Sequence, residues 1–364
     1  MRIARYAAGL ITAVVGLSGF APAVAHAAGS AGAPDVPAVK ITRGAGLSKV
    51  SCPNVKFCLA VGSHTGPAGG RHSLAEEWNG KSWRILPNPP GTAMTDVSCT
   101  SATFCLGITG GVGLDSNART TFQVWNGHAW RSTALPVGRT SEISCGGPKF
   151  CATVRDGDEI ETWNGKNWRT WTSQTDICDM GYPTANCALY EVVCTSATFC
   201  MTVGYTDINE DTAQESMAFI WSGKSWDSPG AEPGDLFTSV GCAGSDFCMV
   251  GDFHQAWTWD GGFTWQDATP GTGCGTNCQV SDPTSCTSSD FCMVLNPMVW
   301  NGSTWTATTY PAVTGTKVHL SSLSCGSSKS CLAVGGYTRN SRTWTLADFW
   351  NGTAWKTTKM PVTG

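Results

Sequence analysis

"SCTSATFCLGITG", Ser98 to Gly110, decides the fold. Two cysteines stand six positions apart, and a phenylalanine precedes the second. The unit recurs as "SCPNVKFCLAVG" from Ser51, "SCGGPKFCATV" from Ser144 and "VCTSATFCMTVG" from Val193. It returns as "GCAGSDFCMVG" from Gly241, "SCTSSDFCMVL" from Ser285 and "SCGSSKSCLAVG" from Ser324. The first cysteines, Cys52, Cys99, Cys145, Cys194, Cys242, Cys286 and Cys325, are spaced by 47, 46, 49, 48, 44 and 39 residues. Periods in this range indicate solenoids or propellers.

Each unit carries a second signature. It reads "WNGKSW" from Trp78, "WNGHAW" from Trp125, "WNGKNW" from Trp163 and "WSGKSW" from Trp221. The later units have "WDGGFTW" from Trp259, "WNGSTW" from Trp300 and "WNGTAW" from Trp350. Asn-Gly between strand-like runs signals a hairpin, because both residues tolerate positive φ. The flanking tryptophans can pack as a cross-strand pair. The unit therefore splits into four short strands. The first ends at the first cysteine, the second starts at Phe-Cys, the third ends at Trp-Asn-Gly and the fourth starts at the second tryptophan. Seven such units predict an all-β, seven-bladed β-propeller of four-stranded, disulfide-stapled blades. Radial repetition protects the strand edges that an open array would expose.

The cysteine spacing places a disulfide across the innermost hairpin of each blade: Cys52–Cys58, Cys99–Cys105, Cys145–Cys151, Cys194–Cys200, Cys242–Cys248, Cys286–Cys292 and Cys325–Cys331. Closing a loop this short stabilises by about 2 kcal/mol on chain-entropy reasoning. The phenylalanine is expected between neighbouring blades. Two further pairs, Cys178/Cys187 and Cys274/Cys278, brace long connections after the third and fifth units. All 18 cysteines are then paired, as an oxidising compartment allows. Seven identical five-residue gaps lack the closely spaced pairs of a tetrahedral metal site.

The N-terminus reads as an export signal. Arg2 and Arg5 precede an apolar run from Ala7 to Phe20, and "AHA" at Ala25 to Ala27 is a small-x-small cleavage site. We expect residues 1–27 to be a signal peptide, 28–39 a flexible lead-in and 40–364 one propeller domain, secreted and without membrane insertion. The leader takes two arginines and no acids from the formal charge of −4, leaving −6. That balance argues against nucleic acid, which needs a basic surface. Charged residues are only 14%, against 43 glycines and 17 tryptophans, which fits a turn-rich all-β chain.

"TWDGGFTW", Thr258 to Trp265, fits the Asp-box pattern Ser/Thr-x-Asp-x-Gly-x-Thr-Trp. On these residues the chain resembles Asp-box propellers of the sialidase-like fold. The other six units carry a version one residue shorter, with Asn, or Ser in "WSGKSW", in place of Asp. The resemblance implies structural hairpins far from any active site. Sialidase activity would also need an arginine cluster and a Tyr/Glu pair, opening with Arg-Ile-Pro. "RIL" at Arg84 is not that motif.

Function should lie in what does not repeat. The second-to-third-strand connections and the inter-blade connections vary in length and emerge on one face, opposite the cysteine and tryptophan hairpins. Units one, two, four and seven have long spacings there and should form walls. The candidate ligand-binding side chains are His64, Arg155, Tyr182, Tyr205, His254 and Tyr337. Aromatic rings would stack on apolar sugar faces, and Arg155 would orient the ligand through hydrogen bonds. Asp207, Asn209 and Asp211 alternate like calcium ligands, but the loop lacks the glycine and the closing acid of a calcium loop. A solvated acidic loop is the favoured reading.

No nucleotide loop, zinc motif or nucleophile elbow is present, and no cofactor is expected. The chain is similar to propeller lectins in being secreted, disulfide-braced, rich in aromatics and free of catalytic motifs. This implies a non-catalytic binding module for glycans or a cell-surface polymer. The alternatives are a scaffold binding an extracellular protein, including a lectin-like part of a larger secreted assembly, and a polysaccharide lyase or glycosidase. Fold alone does not choose among them.

Overall fold

The computed structural model describes residues 24–25, 44–66, 68–110, 120–133, 140–155, 157–171, 186–207, 214–230, 232–234, 236–252, 255–271, 280 and 284–361. They form seven antiparallel sheets in which the four strands of each blade are consecutive in the chain. Blade 1 illustrates the plan, with Gly46–Asn54, Phe57–Thr65, Arg71–Trp78 and Trp83–Ile85 running outward from the axis. The innermost strand of blade 7, Thr316–Ser327, also pairs through Leu320 and His319 with Val24 and Ala25. Those two residues belong to the segment read as the signal peptide, and the blade's own four strands are complete without them.

The seven expected within-blade disulfides are present, with Cα atoms 3.9–4.1 Å apart. Cys178, Cys274 and Cys278 lie outside the described residues, as does the side chain of Cys187. The phenylalanines before the second cysteine reach the next blade: Phe104 stacks on Trp163 at 5.9 Å, Phe150 on Trp221 at 5.4 Å and Phe199 on Trp259 at 5.8 Å. The hairpin tryptophans pair at 5.3–6.2 Å in six blades. In blade 5 the turn is one residue longer, and Trp265 packs on Phe237 instead.

The Asn-Gly hairpins form by other means than expected. Only the glycine takes positive φ, for example Gly80 at 89° and Gly127 at 92°. The asparagine works through its side chain. Asn79 Oδ1 accepts hydrogen bonds from the Lys81 and Ser82 amides, and Asn126 Oδ1 from those of His128 and Ala129. Asp260 plays the same part in blade 5, accepting from the Gly262 amide and the Thr264 hydroxyl. This is the Asx turn, in which a short polar side chain stands in for a backbone acceptor.

The blades are joined by a repeated latch. The serine before the first cysteine accepts a hydrogen bond from the next blade's first-cysteine amide. Ser51 serves Cys99, Ser98 serves Cys145, Ser144 serves Cys194 and Ser285 serves Cys325, at 2.8–3.0 Å. Ser324 closes the ring onto Cys52 at 2.9 Å. Val193 and Gly241 hold this position in blades 4 and 5 and offer no hydroxyl. Closure needs no exchanged strand. Ser322 accepts from the Val50 amide, Trp83 Nε1 donates to Thr358, the Ala45 amide donates to Thr343, and Phe349 packs on Trp78.

Candidate functional site

The blades differ in how far their second and third strands run beyond the cysteines. In blades 1, 4 and 7 the second strand reaches Thr65, Asp207 and Arg339. In blades 5 and 6 it stops at Gly251 and Val294. The taller strands continue about four to six residues further, or about 13–20 Å at about 3.3 Å per residue. In ring order, low blades 5 and 6 thus stand between tall blades 4 and 7. Blades 2 and 3 are intermediate, ending at Thr109 and Arg155.

Each tall hairpin carries a pair of rings. His64 stands directly opposite His72 in blade 1, with ring centroids 5.6 Å apart. Tyr337 stands opposite Trp344 in blade 7, at 6.5 Å and nearly parallel. In blade 4, Tyr205 stacks on Tyr190 at 5.8 Å. Tyr190 reaches it because the first strand bulges between Leu189 and Glu191. Three of the sequence-derived candidates, His64, Tyr205 and Tyr337, are members of these pairs. His64 and Tyr337 are buried, while Tyr190, Tyr205 and Trp344 are half-buried and His72 is exposed. Burial raises the Tyr337 hydroxyl pKa.

Arg155 is engaged within blade 3, paired with Glu159 and, through Nε, with Glu161 Oε1 at 3.2 Å. Tyr182 and His254 lie outside the described residues, as do Asn209, Asp211 and the Asp207 side chain. Among the described residues no group of three or more His, Cys, Asp or Glu side chains could hold a metal ion.

A second cluster has no counterpart among the sequence-derived candidates. Three positions before the first cysteine stand Lys49, Asp96, Glu142 and Glu191 in blades 1 to 4. Each follows a bulge in the innermost strand. Lys49 Nζ lies 2.7 Å from Glu142 Oε2, two blades away, and 3.5 Å from Asp96 Oδ1. Three of these positions also bind the next blade. Asp96 Oδ2 accepts from the Ile143 amide, Glu191 Oε2 from the Val240 amide, and their blade-7 counterpart Ser322 from the Val50 amide.

Burial disfavours the Lys49 ammonium, but Asp96, Glu142 and Glu191 outweigh it and hold the pKa above its ordinary value. Burial raises Asp96 against the pull of Lys49, and pushes Glu191 up to about 7. One cation thus ties together carboxyl groups from three other blades. The sequence signal for this ring is the charged residue at a fixed offset from the cysteine, visible only when the repeats are aligned on that residue.

With the fold and these sites in place, the chain is a seven-bladed propeller scaffold with one disulfide in every blade. No family model matches it, and no curated protein matches its sequence. Solved structures do. The β-propeller domain of the Trilobed protease from Pyrococcus furiosus, described as having an open velcro topology, superposes with a TM-score of 0.56 at 7% identity. The match covers 88% of this chain and 96% of that one. YCF48 from Cyanidioschyzon merolae gives 0.55 at 12% identity, over 85% and 97% of the two chains. U3-55K gives 0.54 at 9%, over 87% and 97%. At such identities the likeness is one of fold. The disulfides suit an oxidising, extracellular or lumenal environment. Among the described residues no helix is long and apolar enough to cross a membrane.

Proposed function

We propose that this chain is a secreted, non-catalytic binding module that recognises glycans or a cell-surface polymer through its tall-hairpin face. The observation that carries the reading is the placement of ring pairs: the three tallest hairpins each hold one on the strand extension that blades 5 and 6 lack. The described pairs of those two blades, such as Phe237 with Trp257 and Trp300 with Trp305, belong to the packed cores. Paired rings held at fixed separation on stiff hairpins offer flat apolar surface at little cost in side-chain entropy. Tyrosine and tryptophan add a polar edge for hydroxyl groups. The motif tryptophans are spent on packing at the opposite face. The ring pairs are not equivalent to one another, so the ligand sites are few and asymmetric.

A glycan array with the mature protein, followed by calorimetry on a purified hit, tests this. We expect one to three sites per chain, weakened by Tyr190→Ala or Trp344→Ala. A change at Trp125 or Trp130 should lower stability and leave the affinity of the folded protein intact. Seven equivalent sites, or affinity indifferent to Tyr190 and Trp344, would overturn the reading. An array without hits, together with specific capture of one extracellular protein, would favour the scaffold reading.

A further inference from the structure

The ring pair of blade 1 differs in chemistry from the other two, since both members are imidazoles. His64 and His72 occupy directly opposed positions on Phe57–Thr65 and Arg71–Trp78, so their side chains leave the same face of the hairpin. The separation of 5.6 Å suits a shared ion. An imidazole nitrogen binds zinc at about 2.0–2.1 Å, which puts the ion about 3.2 Å from the ring centre. Two such rings at the observed separation meet one ion at an angle of about 120°, open to further ligands.

The surroundings of His64 favour the same use. Its side chain is buried, at 7% exposure, and its Nδ1 has no hydrogen-bond partner. Its Nε2 lies 3.0 Å from the Asn88 side-chain amide. The amide oxygen and nitrogen of asparagine exchange places by a half-turn. With the oxygen inward, Asn88 accepts the Nε2 proton and leaves a lone pair on Nδ1. A metal-binding histidine is held by a second shell in just this way. His72 is exposed, which gives an ion a way in. Its ring lies over the Gly66 turn, where a Cβ on Gly66 would come within 2.8 Å of Nε2.

We infer that His64 and His72 form a two-histidine site for a divalent transition-metal ion, zinc, nickel or copper, with Asn88 as the positioning residue for His64. Two protein ligands leave the remaining positions to water, so the ion is exchangeable. Imidazole ligands select these ions over magnesium and calcium, which prefer oxygen.

The test uses the tag-free mature protein, stripped of metal and titrated with zinc, nickel and copper chlorides by calorimetry. We expect one ion per chain at this site, a rise in melting temperature, and two coordinated nitrogens in the copper paramagnetic resonance spectrum. Exposed His72 can be changed with little risk to the fold. His72→Ala should lose the site while keeping the metal-free melting temperature within a few degrees. Asn88→Ala should weaken binding by about tenfold, since second-shell partners carry about 10–100-fold. No binding at millimolar ion, binding unchanged in His72→Ala, or equal binding of magnesium would each overturn the inference. The other described histidines, His128 and His319, lie in blades 2 and 7, and ions held there would survive His72→Ala.

Discussion

Glu76→Gln should make this protein more stable in base and no more stable in acid. Glu76 lies on the third strand of blade 1, 2% exposed, and its Oε2 has no hydrogen-bond partner. The same position in blade 2 is Gln123, which donates to Thr109 at 3.2 Å and accepts from Ser132 at 3.0 Å. In blade 3 it is Glu161, which meets Arg155 and Thr170. Blade 1 has Gly62 and Ile85 where those partners stand. Gly62 cannot be replaced to supply one, because a Cβ there would lie 2.0 Å from the Gly46 carbonyl oxygen. Burial alone therefore pushes the Glu76 carboxyl from 4.5 up to about 8.

A carboxyl raised in the folded state stays protonated there while the unfolded chain ionises. Its contribution is complete below about pH 4.5 and is lost as pH rises through about 8. A shift of this size corresponds to about 5 kcal/mol at about 1.4 kcal/mol per pH unit. Glutamine has no such term. Urea unfolding with the disulfides intact, at pH 5, 7 and 9, measures the difference. Wild type and variant should agree within about 1 kcal/mol at pH 5, a typical hydrogen-bond difference. They should diverge by several kcal/mol at pH 9, the variant being the more stable. Comparing the two isolates Glu76 from Asp96 and Glu191, whose raised carboxyls tilt both curves alike. Parallel curves would refute the reasoning, because they would mean that water reaches the Glu76 carboxylate.

Lys49→Met removes the cation that Asp96, Glu142 and Glu191 surround and should cost about 3 kcal/mol at pH 7, as expected for stranding buried carboxylates. The loss should shrink at pH 5, below the raised pKa of about 7 of Glu191, and a pH-independent loss in the same unfolding assay would contradict the pairing. Ser98→Ala strands the Cys145 amide and should cost about 1–2 kcal/mol. Alanine at Val193, which makes no such latch, should not show that hydrogen-bond cost, and chemical denaturation of both variants compares them. Non-reduced peptide maps should link each Cys-x5-Cys pair locally, with intact mass showing every cysteine paired. Links between blades would break the blade-hairpin account.

Much of this architecture was legible in the sequence because its causes are local. A disulfide across a seven-residue hairpin, a tight turn at Trp-Asn-Gly and a Phe-Cys strand start each depend on a few neighbouring residues, and repetition counted the blades. The distance of His64, Tyr205 and Tyr337 from their cysteines was legible for the same reason, although the strands run on through them. Their partners were not. Tyr190 reaches Tyr205 only through a bulge, and His72 meets His64 only through strand register. The ring of Lys49, Asp96, Glu142 and Glu191 lay further from view. Lys49 and Glu142 are 93 residues apart and meet only when the propeller closes. Glu76 shows the limit most clearly, since nothing around it in the chain marks it as different from Glu161. Its unusual chemistry follows from Gly62 and Ile85 on the two adjoining strands, and from a close backbone approach that only the folded sheet creates.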